Sequence, residues 1–447
     1  MAEPLTGKPP GRLTSVDAYR GFVMLAMASS GFAFARTLEH HPEILDQFDG
    51  SSIGPAWQQM WQTLAYQFEH TKWVGCSFWD LIQPSFMFLV GVAMPLSYAK
   101  RAAKGQSGAR RFAHVLFRSV VLILLGIFLY SNRTGQTNFT FVNVLTQIGL
   151  GYTFLYVISL GRHVIVQLLA VAAILGGYWY YFYQYTIPEK ELQEVTSYLK
   201  EVRHKEASEW SQFSGTAAHW NKHINAAGAF DRDFLNRFPR EEKPWHGRQF
   251  WVNPGGYQTL NFIPSLATML FGLMAGEVLI GGATPGKKLE RLWLAGGLCF
   301  LVAMAVDTTI WPVQVPGCHW TLCPTVKRIW TPSWAVFSTG WCFWMLAAFY
   351  WLFDVRGYKR LALPMVVVGM NSITMYCMAQ LLKPWVGKTL KTHLTSLDQW
   401  IGWKPGAATL LFSGEYVYSD IWRVTAVVFV LWLICVWLYR RKIFIRI

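Results

Sequence analysis

The stretch Leu81-Ile-Gln-Pro-Ser-Phe-Met-Phe-Leu-Val-Gly-Val-Ala-Met-Pro-Leu-Ser-Tyr-Ala99 decides the fold class of this chain. It carries no charged side chain, and about 20 mostly apolar residues cross the hydrocarbon of a bilayer as a helix. The stretch therefore predicts a membrane-spanning helix. A polar connection that contains His70 and ends at Asp80 comes directly before it.

Similar apolar stretches recur along the whole chain, which predicts an all-α polytopic membrane protein with about ten transmembrane helices. Apolar residues make up 53% of the 447 residues and charged residues only 15%, whereas a soluble domain carries about 25% charge. We expect one transmembrane domain over residues 1–447, with helical loops on the non-cytoplasmic side. The ten predicted spans are residues 16–35, 81–99, 115–130, 144–160, 164–183, 260–280, 292–311, 334–353, 361–382 and 421–439.

The net charge of +15 is concentrated in alternate short loops, and this distribution argues against a nucleic-acid partner. Loops rich in Lys and Arg face the cytoplasm. An even number of crossings returns the chain to the same side, so we predict cytoplasmic N- and C-termini and a far-side location for His70. The basic residues are Lys8, Arg12, Lys100, Arg101, Lys104, Arg110, Arg111, Arg162, Lys287, Lys288, Arg291, Arg356, Lys359, Arg360, Arg440, Arg441, Lys442 and Arg446.

Three segments on the predicted far side are long enough to form structure of their own. Residues 37–79 include apolar side chains at helical spacing from Trp57 to Phe68, which predicts an amphipathic helix. Residues 184–258 form a charged insertion that we expect to be a helical cap with a loop. Residues 383–420 are amphipathic. We see no internal repeat and expect no paired broken helices, both of which mark many secondary transporters.

Two cysteines in a predicted far-side loop, Cys318 and Cys323, are close enough in sequence to form a disulfide. An oxidising compartment would favour that bridge. The alternative is a zinc site completed by His319, but a fourth ligand is not evident, so we expect no metal.

His70 and Asp80 are the strongest candidates for chemistry. An unperturbed histidine has a pKa of about 6.5 and can accept or give a proton near neutral pH. An acidic residue within a spanning helix costs about 3 kcal/mol at the centre and is a functional hypothesis by default. Asp80 could orient His70, pair with a lysine or cap a helix. The location predicts that His70 is a base or a nucleophile.

The first predicted helix begins with Ser15-Val-Asp17-Ala-Tyr-Arg20. Thr14 or Ser15 is expected to cap it, and its two charged residues are spaced as an i,i+3 ion pair. That pair could make insertion into the membrane tolerable, or Arg20 could bind phosphates at the inner face. Both interpretations stay open.

Two other motifs are ambiguous when each is taken alone. Trp330 follows the basic pair Lys327 and Arg328, and it could stack on a sugar or a nucleotide or anchor the membrane interface. Asn371 and Ser372 lie in a predicted span, where such side chains often only bind neighbouring helices.

Taken together and in order, the motifs resemble the catalytic domain of the heparan-alpha-glucosaminide N-acetyltransferase family. The resemblance covers nearly the whole chain, from Arg12 to the last helix. Its marks are Ser15-Val-Asp-Ala-Tyr-Arg-Gly21, His70 with Trp73-x-Gly75 and Asp80-Leu-Ile-x-Pro84-x-Phe86, Asn253-Pro-Gly-Gly256, Lys327-x-x-Trp330-Thr-Pro-Ser333 and Gly369-Met-Asn-Ser372.

The resemblance implies a transmembrane acetyltransferase of the bacterial inner membrane. In the family, acetyl-CoA approaches from the cytoplasm and the acetyl group reaches a glucosamine amine on the far side. The essential histidine of the family corresponds to His70. The expected partners are an amino-sugar or glycan acceptor and membrane lipids, and a homodimer is the assembly that we consider.

The chain also departs from the family pattern at three places. The asparagine that the family carries in its first helix aligns near Gly31, beside Ser29 and Ser30. A Gln-Arg pair before the fourth helix appears here as Thr146-Gln147. The insertion at residues 184–258 is longer than the family leads us to expect.

We expect His70 and Asp80 to be catalytic, with His70 acting as a base or as a transient acetyl carrier. Alternatives are O-acetylation of a periplasmic polysaccharide and a sugar transporter without catalysis. Candidate acetyl-CoA-binding residues are Arg20, Lys100, Arg101, Arg110, Arg111, Asn371 and Ser372. Candidate acceptor-binding residues are Trp73, Asn253, Trp330 and Ser333.

Overall fold

The computed structural model describes residues 12–161, 163–310, 320–402, 404 and 406–445. These residues form seventeen α-helices joined by short 3-10 helices and loops, and they contain isolated β-bridges but no β-strand. The helices are α1 (Thr14–Ala28), α2 (Phe34–His40), α3 (Gly54–Gln67), α4 (Ile82–Ala103), α5 (Gly108–Tyr130), α6 (Val144–Ser159), α7 (Val164–Gln184), α8 (Glu189–Arg203), α9 (Ala226–Phe234), α10 (Phe262–Ile280), α11 (Pro285–Val306), α12 (Pro332–Phe349), α13 (Lys359–Gly369), α14 (Ser372–Leu381), α15 (Lys383–Ile401), α16 (Ala407–Phe412) and α17 (Ser419–Arg440).

In the described part of the chain, seven helices are long and apolar enough to cross a membrane: α4, α5, α7, α10, α11, α12 and α17. Two more candidate spans are bent pairs: α1 with the segment that ends in α2, and α13 with α14. The apolar helix α6 is shorter, at 16 residues. The all-α polytopic class is therefore confirmed, and each of the ten predicted spans coincides with one of these helices or pairs.

The expectation of unbroken spans is wrong, because the two bent pairs turn by 41° and 61°. In the first, Gly31, Phe32 and Ala33 have φ angles of 70°, 50° and 60°, in the left-handed region that ends a helix. A Cβ added at Gly31 would lie 2.3 Å from the Phe68 carbonyl oxygen, so only glycine fits there. The break therefore packs against Phe68, which directly follows α3 and is two residues before His70.

Helices α1 and α13 cross at two glycines. A Cβ on Gly21 would lie 1.7 Å from the carbonyl oxygen of Met365, and one on Gly369 would lie 1.9 Å from that of Asp17. Small residues let membrane helices approach this closely. The crossing fixes the start of α1 beside the break between α13 and α14.

The same device joins α4 to α10. A Cβ on Gly91 would lie 1.9 Å from the Met269 carbonyl oxygen, and one on Gly272 would lie 2.0 Å from the Phe88 carbonyl oxygen. These two helices form the centre of the bundle, where α4 also contacts α1, α6 and α12. We call the end at which α4 begins the His70 end, and the end at which it finishes the basic end.

The cap predicted for the first helix is wrong. Neither Thr14 nor Ser15 caps it with a side chain; instead, the carboxylate of Asp354 accepts both of their backbone N–H groups at 3.0 Å. The pairing of Asp17 with Arg20 is confirmed, with 3.5 Å between their charged atoms.

The insertion at residues 184–258 contains α8 and α9, as expected for a helical cap. It has a small apolar core of its own that includes Tyr198, Trp210 and Phe250. Trp220 packs with Trp73 and Val326 in a second cluster, so the insertion is built onto the loops at the His70 end. Lys8, Arg162, Cys318, His319 and Arg446 lie outside the described residues, and the predicted bridge between Cys318 and Cys323 therefore does too.

Candidate active site

His70 lies in the connection between α3 and α4, where its Nδ1 is 2.8 Å from Oδ1 of Asp80. The His70 side chain is 42% exposed, whereas that of Asp80 is 1% exposed. The buried carboxylate of Asp80 therefore contacts the inner edge of a partly exposed imidazole. Because Nδ1 faces Asp80, Nε2 is the nitrogen left for a reacting group.

The second oxygen of Asp80 is fixed by the backbone around it. Its Oδ2 accepts the backbone N–H groups of Thr71 at 3.2 Å and Ser77 at 3.1 Å, and also the Thr71 hydroxyl at 3.1 Å. The bond from Ser77 belongs to a capping box that starts the 3-10 turn Phe78–Leu81. The carboxylate consequently has one orientation, with Oδ1 directed at His70.

Lys327 completes this cluster from the loop between α11 and α12. Its Nζ is 3.0 Å from Asp80 Oδ1 and 3.0 Å from His70 Nδ1, and its side chain is 4% exposed. From the sequence, Lys327 is recognisable only as part of a motif, so its role in the site could not be predicted. Asp80 takes all three of its predicted roles, because its carboxylate contacts His70, pairs with Lys327 and caps the turn Phe78–Leu81.

The Lys327 loop is held in register with the His70 loop. Val74 and Val326 form an antiparallel bridge, and the Gly75 N–H donates to the Thr325 carbonyl at 3.1 Å. The hydroxyl of Thr331 accepts the Val326 N–H at 3.0 Å and closes the loop on itself. Lys327 therefore extends from a turn whose backbone is held in place by these hydrogen bonds.

Partial burial lowers the pKa of His70 below its usual value. The hydrogen bond with Asp80 acts in the opposite direction, and the charges of Lys327 and Arg328 add to the lowering. A depressed pKa keeps the imidazole uncharged at neutral pH, which is the form that accepts a proton or attacks a carbonyl.

The position near which the family carries an asparagine cannot assist His70 here. Gly31 has no room for a side chain, and the neighbouring Ser29 hydroxyl donates to the Ala26 carbonyl at 2.7 Å. Asp80 and Lys327 contact the imidazole instead. Within the described ranges, no group of three or more His, Cys, Asp or Glu side chains is placed to hold a metal ion.

Two of the residues proposed for acceptor binding lie where the insertion meets the His70 loop. Trp73 is buried and its indole N–H donates to the Trp220 carbonyl at 3.2 Å. The side chain of Asn253 accepts the Gly255 N–H at 2.9 Å in a tight turn. Arg328 donates to the carbonyl of that same glycine at 2.7 Å, so three loops meet around His70.

The other two proposed acceptor residues are also buried. Trp330 has a φ of 47°, and its indole N–H donates to the Thr268 hydroxyl at 3.4 Å. The hydroxyl of Ser333 donates to the Pro324 carbonyl at 3.0 Å. Both residues shape the turn that carries Lys327.

A crevice of about 480 Å³ opens at the basic end of the bundle. Its mouth has basic side chains and its interior is apolar. From Arg101 to Phe86 it follows α4 for about 22 Å, at a rise of 1.5 Å per residue. The basic lining residues are Arg12, Arg20, Lys100, Arg101, His114 and Arg118; the apolar ones include Met24, Phe86, Leu89, Leu122, Leu145, Ile148 and Tyr376.

Among the residues proposed to bind acetyl-CoA, Arg20, Lys100, Arg101 and Ser372 line this crevice. Arg110 and Arg111 are not among its lining residues. Sequence reasoning missed Arg118, which stacks over the Tyr152 ring with 4.7 Å from its guanidinium carbon to the ring centroid. A single arginine within an apolar helix does not by itself indicate a binding site, because the sequence does not show which residues surround it.

Asn371, which the sequence predicts to bind acetyl-CoA, is not among the residues that line the crevice. Its amide nitrogen donates to the Ile443 carbonyl at 3.1 Å, and its oxygen accepts the Ile445 N–H at 3.0 Å. Ile445 itself lines the crevice. The two hydrogen bonds of Asn371 thus hold the segment after α17 in place, and this segment forms one wall of the crevice.

The crevice and the His70 cluster share one helix. Phe86 lines the deep part of the crevice and follows Asp80 by six residues, which is about 9 Å of helix. The basic groups stand at the opposite end of α4. A long ligand held at the mouth would therefore point along α4 toward His70.

No family model matches the chain. The chain is 23% identical to heparan-alpha-glucosaminide N-acetyltransferase of Homo sapiens over 478 residues, covering 99% of the chain and 61% of that protein. It is 21% identical to the Mus musculus protein of the same name over 354 residues, covering 70% of the chain and 49% of that protein. The chain thus spans only about half to three fifths of these relatives, and the resemblance suggested by the motifs is confirmed.

Proposed function

We propose that the chain is a membrane acetyltransferase that moves an acetyl group from acetyl-CoA to an amino sugar or related glycan acceptor. One observation carries this proposal: the basic crevice and the His70–Asp80 pair occupy opposite ends of α4. The similarity to two proteins named as N-acetyltransferases supports the same reaction class.

The crevice suits the chemical character of acetyl-CoA. The nucleotide part of this donor carries phosphates, which arginine and lysine bind by charge-assisted hydrogen bonds. Its long arm is uncharged and fits a narrow, mostly apolar channel. We place the phosphates near Arg20, Lys100 and Arg101, with the thioester directed toward the Phe86 end of the crevice.

In the transfer step, His70 Nε2 accepts a proton from the acceptor amine while the amine nitrogen attacks the thioester carbonyl. A C–N bond forms, the C–S bond breaks, and the departing sulfur takes the proton back from His70 as the CoA thiol. Asp80 stabilises the imidazolium that exists between these events. The alternative is direct attack by Nε2, giving an acetyl-imidazole that the amine then opens.

The orientation follows the positive-inside rule. We place the basic end and both termini in the cytoplasm of a bacterial cell, with the protein in the inner membrane and His70 on the periplasmic side. The insertion at residues 184–258 then covers the acceptor side of a single transmembrane domain. In this arrangement the donor and the acceptor approach from opposite faces of the bilayer.

A sugar transporter is a second candidate, because two spans are broken and one break lies beside the crevice. Broken helices form the substrate sites of many transporters. The lack of an internal repeat argues against this function. O-acetylation of a periplasmic polysaccharide would use the same site with a hydroxyl acceptor.

The test is release of free CoA thiol by the purified protein in lipid nanodiscs, given acetyl-CoA and a panel of amino sugars and hydroxyl-only sugars. Acetyltransfer predicts acceptor-dependent thiol release at a rate proportional to protein. Release with hydroxyl sugars alone would favour O-acetylation. No release with any acceptor, together with sugar uptake into proteoliposomes, would contradict the proposal and favour the transporter.

A further inference from the structure

Lys327 contacts both members of the His70–Asp80 pair but takes no part in the proposed transfer step. Its Nζ contacts both Asp80 Oδ1 and His70 Nδ1 at 3.0 Å, and both acidic and basic side chains of the ion pair are buried. We infer that Lys327 is a positioning residue that balances the charge of Asp80 and thereby keeps His70 uncharged. This inference rests on the proposed function, in which an uncharged His70 is the base or nucleophile.

The electrostatic reason lies in the three-way contact. A buried carboxylate beside an imidazole favours the protonated, cationic ring, and a cation beside it disfavours that form. Without Lys327, the charge of Asp80 would have His70 as its nearest counter-ion. If His70 were already protonated, Nε2 would carry a proton and could not accept one from the acceptor amine.

The contact also selects the tautomer. Nδ1 can donate to Asp80 or accept from Lys327, but it cannot do both at once. Because Asp80 Oδ1 accepts from the lysine as well, the three groups are satisfied when Nδ1 carries the hydrogen and donates to Asp80. The lone pair is then on Nε2, the nitrogen that Asp80 leaves free.

The balance also matters after proton transfer. When His70 takes the proton of the acceptor, the imidazolium faces one anion and one cation rather than an anion alone. The imidazolium is then stabilised less, so it returns the proton to the departing sulfur more readily. A base that shuttles a proton works best with a pKa near the working pH.

Other charged and titratable groups surround this cluster, and the Lys327→Met substitution leaves all of them in place. Arg328 donates to the carbonyl oxygens of Gly255 and Thr71 from the same loop as Lys327. The His70 segment itself contributes Glu69, Lys72 and Cys76, and α3 contributes Tyr66, whose hydroxyl is 3.5 Å from the Cys76 carbonyl oxygen.

The direct test is the pH dependence of His70 modification by diethyl pyrocarbonate, which reacts with uncharged imidazole. The chain has 11 histidines, so the signal of His70 is the difference between each protein and its His70→Gln counterpart. In Lys327→Met the midpoint should rise by about 1 unit or more, the size expected when a like charge within a few ångströms is removed. Lys327→Arg should keep the wild-type midpoint.

Arg328→Met is the matched control, because it removes the same charge from the neighbouring residue. Its guanidinium binds backbone oxygens rather than the imidazole, so the shift should be smaller than in Lys327→Met. Equal shifts in the two variants would mean that only the general positive field matters, and would overturn the specific role of Lys327. An unchanged midpoint in Lys327→Met would overturn it too.

Asp80→Asn gives a second measurement in the opposite direction. It leaves Lys327 beside His70 without the carboxylate, so the midpoint should fall below that of the wild type. The double variant Asp80→Asn with Lys327→Met should lie between the two single variants. If Lys327→Met does not fold, these two proteins still decide the matter: equal midpoints in them would contradict the inference.

The acetyl-transfer assay separates this inference from the proposed function. If both hold, the acid limb of the pH–rate profile moves with the modification midpoint in Lys327→Met, and activity partly recovers at higher pH. A purely structural role would lower the rate equally at all pH values. If the modification midpoint shifts in Lys327→Met but the wild-type protein transfers no acetyl group, the proposed function is contradicted and the role of Lys327 is supported.

Discussion

The buried carboxylate of Asp80 lies 2.8 Å from the half-exposed imidazole of His70. This pair stands at the start of α4, whose other end carries the basic mouth of the crevice. The same helix therefore positions the proposed chemistry and the proposed donor-binding groups. Changes at either end should affect different steps of the reaction.

Breaking the Asp80–Lys327 ion pair should destabilise the fold, because a buried charge without its partner costs about 3–5 kcal/mol. Asp80→Asn and Lys327→Met should each lower the unfolding temperature, and the double variant should lose less than the sum of the two. Thermal unfolding followed by circular dichroism measures this. Lys287→Met is the control, since its pairing with Glu290 is exposed and should matter little. Additive losses would show that the two charges are not coupled.

Removing the two charges at the end of α4 should weaken donor binding. Lys100→Gln with Arg101→Gln should raise the Kd for acetyl-CoA by about 10-fold or more, and the Kd of the wild type should rise with salt. Arg110→Gln with Arg111→Gln removes the same charge next to the crevice but outside its lining. Calorimetric titration compares the two. Equal weakening in both would place the phosphates outside the crevice.

Releasing the segment that Asn371 fastens should also weaken donor binding. Asn371→Ala leaves the Ile443 carbonyl and the Ile445 N–H without their partners, at about 1–3 kcal/mol if they stay buried. The crevice then loses one wall, so the Kd for acetyl-CoA should rise while His70 modification stays unchanged. Asn236→Ala, which breaks two backbone contacts within the insertion, is the control. Unaltered donor binding in Asn371→Ala would show that the segment held by Asn371 does not contribute to the acetyl-CoA site.

The crossing of α1 with α13 should not tolerate a methyl group. Gly369→Ala places a Cβ 1.9 Å from the Asp17 carbonyl oxygen, so the two helices must separate and widen the mouth. We expect a lower unfolding temperature and weaker donor binding. Gly176→Ala in α7 is the matched control, because nothing lies within 4 Å of its added Cβ. If both substitutions behave alike, the close crossing does not shape the mouth.

Much of the fold follows from sequence because hydrophobic length alone defines a spanning helix. The breaks in the two bent helix pairs cannot be predicted in the same way. The stretch around Gly31 is as apolar as its surroundings, and the Phe68 carbonyl that packs against its left-handed backbone is distant in sequence. The cap of α1 was missed for a similar reason, since Asp354 is distant in sequence and reaches Thr14 only in the folded bundle.

The candidate site was predictable where its residues are neighbours in sequence. His70 and Asp80 are ten residues apart, and a polar loop before an apolar helix already suggests that they meet. Lys327 is 257 residues from His70, and their loops meet only in the folded protein, through the bridge between Val74 and Val326 and the hydrogen bonds beside it. The buried locations of Trp73 and Trp330 were equally invisible, because a motif shows that a residue type is required but not which neighbours it packs against.

The decisive measurement is a comparison of donor binding with acetyl transfer in His70→Ala. His70 lies beyond the deep end of the crevice, so the variant should bind acetyl-CoA with the wild-type Kd. Its rate of transfer to the best acceptor should fall at least about 100-fold, the usual effect of removing a general base. His204→Ala, in the insertion, should change neither quantity. A His70→Ala protein that keeps more than about a tenth of the wild-type rate would contradict the assignment of His70 as base or acetyl carrier.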